Sequence, residues 1–304
     1  AANKTIGQGG FQEVEQMAMF RDCVCYQEEV RDPSRIAETL NRVILKARRL
    51  SAPAQINVPR DFWTQVIDVA LPTPIEFERP SGGANAVAEA AKLLSEASFP
   101  VILSGAGVVI GEAIPECVAL AEKLSAPVCS GYQHNDSFPG SHPLACGPLG
   151  YNGSKAAMEL IAKADVVLAL GTRLNPFSTL PGYGIDYWPK NAKIIQVDIN
   201  ADRIGLTKPV AVAICGDAKL VAQQLLAQLS PKAGDKGRDE RKALIHTSKS
   251  AWLQQLSGMD HEDDDPGTTW NERARQRDPD RMSPRMAWRA IQAGLPREAI
   301  ISSD

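Results

Sequence analysis

Three short segments hold residue types able to contact a phosphate or a nucleotide. Ser104-Gly105-Ala106-Gly107 follows one apolar run, Gly171-Thr172-Arg173 follows another, and Asp198 closes a third. Glycine lets a backbone approach a phosphate closely, and a helix beginning just after it adds positive potential. A nucleotide pocket built from Gly105, Gly107, Gly171, Arg173 and Asp198 is one reading. The other is tight strand-to-helix turns at the glycines, with surface ion pairs at Arg173 and Asp198. Gly105-Ala106-Gly107 lacks the third glycine of a dinucleotide fingerprint, because Ile110 holds that place and Gly111 falls one residue later. His261-Glu262-Asp263-Asp264-Asp265 clusters an imidazole with carboxylates. Consecutive acids point in different directions, as in an exposed acidic turn, so no metal site is expected there. The six cysteines, Cys23, Cys25, Cys117, Cys129, Cys146 and Cys215, lie mostly in apolar stretches and lack metal-ligand spacing, so reduced core thiols are expected.

The elements that must position these residues alternate between helix and strand. Over residues 84–229, amphipathic stretches separate near-continuous apolar runs at 100–104, 126–129, 165–170, 193–197 and 210–214. Strands of that kind predict a doubly wound parallel sheet covered on both faces, with ligands at the carboxyl ends of its strands. Before it, Cys23-Val24-Cys25-Tyr26 and Ala54-Gln55-Ile56-Asn57-Val58 read as strands. Between them lies a helix opened by Asp32-Pro33 and striped by Ile36, Leu40, Val43, Ile44 and Ala47, which makes a parallel βαβ unit. Residues 72–83, rich in proline, read as a linker. Beyond Ser230 the charged, glycine-containing run around Gly234-Asp235-Lys236-Gly237 reads as a solvated connector into a helix near Trp252. Ser283 or Pro284 opens a further helix, and Ala299-Ile300-Ile301 begins a strand.

Composition narrows the partners. With 304 residues, 44% of them hydrophobic, the chain can bury one or more cores, and its net charge of −3 leaves no footprint for nucleic acid or a membrane surface. No apolar run reaches the roughly 18 residues of a membrane span, and a cytoplasmic protein acting on small molecules is expected.

The run Thr5-Ile6-Gly7-Gln8-Gly9-Gly10-Phe11-Gln12-Glu13-Val14-Glu15-Gln16, followed by Cys25-Tyr26-Gln27-Glu28-Glu29-Val30-Arg31-Asp32-Pro33, carries a resemblance to a known family. It is similar to the Gly/Ala-Phe-Gln-Glu region of thiamin-diphosphate (ThDP) enzymes of the acetolactate synthase type, and within them to the branch acting on sulfoacetaldehyde. Phe138-Pro139-Gly140-Ser141-His142-Pro143 with Gly147, Gly150 and Gly153 resembles the family's central domain, some members of which hold flavin or ADP. The resemblance implies a multidomain α/β ThDP enzyme fold. Its central doubly wound parallel sheet, residues 84–229, would be flanked by part of a pyrimidine-binding domain over 1–71 and, after a charged linker with a helix over 230–280, by the start of a diphosphate-binding domain over 281–304.

It further implies that Phe11 and Gln12 face the cofactor. The activating glutamate is expected upstream of this chain and the Mg²⁺-carrying segment downstream of it, so that the chain is the middle of a longer enzyme and binds neither Mg²⁺ nor ThDP tightly alone. The implied reaction joins sulfoacetaldehyde and phosphate to give acetyl phosphate and sulfite, in a homodimer or homotetramer. An acetolactate synthase-like enzyme, an acyl-CoA lyase and a non-catalytic nucleotide-binding module are the alternatives.

Overall fold

The computed structural model describes residues 2–11, 13–258, 284–296 and 298–301. They form two compact units, Ala1–Glu78 and Arg79–Asp304. Gln12, His261–Asp265 and Ser283 lie outside the described residues.

In the first unit a short helix α1 (Gln16–Met19) precedes strand β1 (Tyr26–Glu29), helix α2 (Ile36–Leu50) and strand β2 (Ala54–Asn57). The strands pair in parallel, Tyr26 opposite Ala54. Asp32 caps the turn into α2 by accepting from Ser34 N, with Pro33 at the first helical position, and Ser51 ends the helix at φ 47°. The strand expected at Cys23 starts three residues later. Cys23 N is bonded to Phe20 O in a turn, and pairing with the second strand begins only at Cys25 N to Pro53 O, 2.8 Å. Both cysteines are exposed rather than core residues, and so is Cys215; Cys117, Cys129 and Cys146 are buried. The apolar stripe of α2 is also divided. Thr39 and Val43 face the core, whereas Leu40 and Ile44, one position further round, are exposed.

Helix α2 is tied to β1 by charge. Arg42 donates to both oxygens of Glu28, at 2.6 and 2.8 Å, and Tyr26 OH donates to the same carboxylate at 2.7 Å. The Arg42 hydrogen bonds, aided by Tyr26, hold Glu28 down at about 2 against an ordinary 4.5. Because the folded value lies below the unfolded one, the stabilisation is complete above pH 4.5 and disappears as pH falls towards 2. Arg42 is 37% exposed, so solvent screening keeps the effect modest. Arg42→Ala is therefore expected to flatten the dependence of the urea unfolding midpoint on pH across that window; an unchanged slope would remove the pair from the account.

The second unit begins with helix α3 (Ala84–Glu96), whose Val87, Ala90, Ala91 and Leu94 are all buried at the spacing read from the sequence. Then come β3 (Pro100–Ser104), α4 (Ala106–Ile110), α5 (Ile114–Leu124), β4 (Val128–Ser130), β5 (Ala145–Pro148), α6 (Lys155–Ile161), β6 (Val166–Leu170), β7 (Lys193–Asp198), β8 (Val212–Cys215), α7 (Ala218–Gln228), α8 (Arg238–Gly258) and α9 (Pro284–Gly294). The six strands lie in the order β5-β4-β3-β6-β7-β8, every neighbouring pair parallel. The direction in which strands are added therefore reverses between β3 and β6, the switch point of a doubly wound fold, while all six strands run the same way. The connection from β3 to β4 steps one way along the sheet and that from β5 to β6 the other, so right-handed crossovers place α5 and α6 on opposite faces. Both central strands, β3 and β6, are buried at every position, which is why their sequences are apolar without alternation.

Strand β5 has no counterpart in the sequence reading. Glycine and proline interrupt it, and it sits at the sheet edge beyond a register shift at Val128/Cys129, where such residues are tolerated. In the connector after Ser230, Asp235, Lys236, Gly237, Asp239 and Glu240 are exposed, as a solvated run would be, but three residues in and just after it are packed. Ala233 and Ile245 are buried and Arg241 is only 1% exposed. No strand forms at 299–301. Among the described residues no helix is long and apolar enough to cross a membrane.

Candidate functional site

In the first unit the glycine-rich turn is closed by Glu13. Its carboxylate accepts from Gly7 N at 2.5 Å and from Gly10 N at 3.2 Å. Phe11 is 94% exposed at the tip of this turn. Elsewhere in the unit a cavity of about 420 Å³ opens beside β1, lined by Gln27, Glu28, Glu29, Arg31, Arg35 and Thr39 among others.

In the second unit the switch point brings Gly105, Gly107 and Gly171 together. Gly107 N donates to Gly171 O at 2.8 Å and Gly105 N to Leu170 O at 3.1 Å. A Cβ on Gly107 would meet Gly171 Cα at 2.6 Å, and one on Gly105 would meet Thr172 Cβ at 2.6 Å. Gly171 also has φ 61°. This mutual approach of two turns accounts for glycine at all three positions on packing grounds alone.

Asp198 closes β7 and is 7% exposed; its carboxylate accepts from Asn200 N at 2.9 Å. Burial raises its pKa, opposed by that hydrogen bond and by the charges of Arg203 and Arg173. Arg173 itself is exposed. Sequence reasoning missed the residue joining these loops. The buried amide of Gln196 donates to Thr172 O at 3.1 Å and Arg203 O at 3.2 Å, and accepts from Gly205 N at 2.9 Å. Its signal was available, since one polar residue inside Ile194-Ile195-Gln196-Val197 needs buried partners.

A second unread feature sits on the same carboxyl edge. Tyr132, Tyr151 and Phe177, on the loops after β4, β5 and β6, pack their rings together, Tyr132 at 6.2 Å from Tyr151 and 6.4 Å from Phe177. Among the described residues no group of three or more His, Cys, Asp or Glu could hold a metal ion.

The doubly wound order and the glycine turns at its switch point agree with a family match. Residues 87–225, a stretch of the second unit, match the family described as thiamine pyrophosphate enzyme, central domain. The relatives are more particular. Over all 304 residues the chain is 80% identical to the "Probable sulfoacetaldehyde acetyltransferase" of Rhizobium meliloti (strain 1021), covering 51% of that protein. It is 77% identical to the "Sulfoacetaldehyde acetyltransferase" of Roseovarius nubinhibens, covering 50% of it. The chain thus spans about half the length of the curated relatives it matches. Among solved structures, benzoylformate decarboxylase from Polynucleobacter necessarius superposes with a TM-score of 0.65 at 20% identity, covering 75% of this chain and 43% of that one, a likeness of fold.

Proposed function

We infer that the protein carrying this chain is a ThDP-dependent cytoplasmic acyltransferase that converts sulfoacetaldehyde and phosphate to acetyl phosphate and sulfite. The observation that carries the reading is 80% identity, unbroken along the chain, to a relative named for that activity. The equation balances without an external oxidant: the carbon–sulfur bond breaks, the aldehyde carbon reaches the oxidation level of an acyl phosphate, and sulfur leaves with the bonding electron pair. ThDP, when bound, supplies an electron sink at its thiazolium carbon.

What this chain offers such a group is an apolar ring. Phe11 stands 94% exposed on a turn braced from behind, able to lie against a planar heterocycle and keep water from it. Gln12, next in sequence, is the other residue of this segment that the family resemblance implies for the cofactor. Mg²⁺ would come with the cofactor's diphosphate, and no described residue is assigned to it. We also expect a homodimer or homotetramer, as the family resemblance implies.

The test is steady-state release of sulfite from sulfoacetaldehyde by the gene product carrying this chain. Release that requires both ThDP and phosphate supports the reading. Condensation of pyruvate to acetolactate, or cleavage of an acyl-CoA, without sulfite release would replace it. A second reading is favoured by the switch point itself: Gly105, Gly107, Gly171, Arg173 and Asp198 lie where doubly wound sheets take nucleotides. ADP or flavin retained through purification would support it.

A further inference from the structure

The turn that displays Phe11 is held by one side chain. Glu13 Oε1 accepts from Gly7 N at 2.5 Å, Oε2 accepts from Gly10 N at 3.2 Å, and Glu13 N donates back to Gly10 O at 3.2 Å. Gly7 and Gly9 have φ 82° and 70°, conformations that turn successive backbone N–H groups to the inside of a bend. Both carboxylate oxygens are thereby engaged by backbone donors in charge-assisted hydrogen bonds, and Glu13 is half-buried while Phe11, two residues earlier, is not. Neither flanking element supplies a core: no residue of the Asn3–Thr5 turn or of α1 is buried.

We propose that Glu13 is a positioning residue, whose carboxylate keeps the glycine turn in the one conformation that presents Phe11 to ThDP. This rests on the reading of function above. It separates Glu13 from acid–base chemistry, because its oxygens are spent on Gly7 and Gly10 and not on a substrate.

The experiment uses the full protein. In Glu13→Ala, deuterium exchange of the peptide spanning residues 5–14 is expected to rise about tenfold, the scale set by losing charged hydrogen bonds. Exchange in β1 and β2 should stay unchanged, which shows that the unit still folds. The dissociation constant for ThDP, measured by calorimetry, should weaken by a similar factor of about ten, because apparent affinity falls with the fraction of competent turns. Turnover at saturating ThDP should stay within about twofold, since the turn is restored once the cofactor is bound. Glu13→Gln, which keeps one acceptor oxygen, should recover part of both losses.

Unchanged exchange in residues 5–14 of Glu13→Ala overturns the proposal. So does a large loss of saturated turnover with ThDP affinity intact, because that pattern belongs to a chemical role. If the wild-type protein neither binds ThDP nor releases sulfite, the functional reading fails by itself, and the exchange measurement still decides whether Glu13 holds the turn.

Discussion

Replacing Arg241 with alanine is expected to destabilise the second unit by about 3 kcal/mol or more, the scale for removing a buried charged donor and leaving its carbonyl partners unsatisfied. The guanidinium, on the first turn of α8, is 1% exposed and donates to five backbone carbonyls. Ser125 O accepts from Nε at 2.7 Å, while the two terminal nitrogens reach Ser98 O, Lys236 O, Leu124 O and Gly234 O at 2.7–2.9 Å. Leu124 and Ser125 end α5, so the cation also sits at the negative end of that helix. Burial lowers its pKa, yet a guanidinium stays charged at any working pH. Arg241 is thus the rivet that fastens the turn after Ser230, the start of β3 and the end of α5 to one another. Arg241→Lys keeps the charge but not the planar fork, and should recover less than half of the loss in urea denaturation. A stability of Arg241→Ala within about 1 kcal/mol of wild type would show that water replaces the guanidinium at little cost.

Gly150→Ala should cost about as much, for a steric reason. Gly150 has φ 87°, and a Cβ there would lie 1.7 Å from Phe177 O and 2.8 Å from Ser178 Cα. The neighbouring Tyr151 N donates to that same Phe177 O at 3.1 Å, so the loop after β5 and the loop after β6 touch backbone to backbone. A methyl group can enter only if they part, with strain and lost packing together worth about 3 kcal/mol. Parting them separates Tyr151 and Phe177 from Tyr132, and the near-ultraviolet circular dichroism of the aromatic cluster should diminish. Gly140→Ala is the control. A Cβ there meets nothing within 4 Å, and its effect should stay within about 0.5 kcal/mol. Equal stabilities for the two variants would contradict the packing described for these loops.

Much of the architecture was legible because it rests on local patterns. Four buried residues of α3 stand at helical spacing, and β3, β6 and β7 are apolar runs whose burial on both faces is written in their composition. Asp32-Pro33 announced a helix start, and Asp32 caps it. Elements whose signal is not local were misread. At β1 the strand register is set by the partner β2, not by Cys23 and Cys25. Strand β5 is an edge with glycine and proline in it. The charged run after Ser230 is mostly exposed, as its composition suggests, but Arg241 is not, and nothing nearby in sequence reveals that Arg241 would meet carbonyls more than a hundred residues away.

The candidate site divides in the same way. The residue types were readable: the Gly9-Gly10-Phe11-Gln12-Glu13 segment that carries the family resemblance, and glycines at the ends of two apolar strands. Their work was not. That Glu13 braces the turn, that Gly107 and Gly171 press on each other, and that Gln196 joins two loops are facts of spatial approach.

By itself the amino-acid order determined the alternation of helices and strands, the parallel sheet and the family resemblance, because periodicity and near-neighbour chemistry act over a few residues. Only the tertiary structure decided the strand order with its switch point, the outward display of Phe11 and the burial of Arg241. Each depends on which distant backbone groups are left wanting a partner once the chain has packed, and that need does not exist until the fold does.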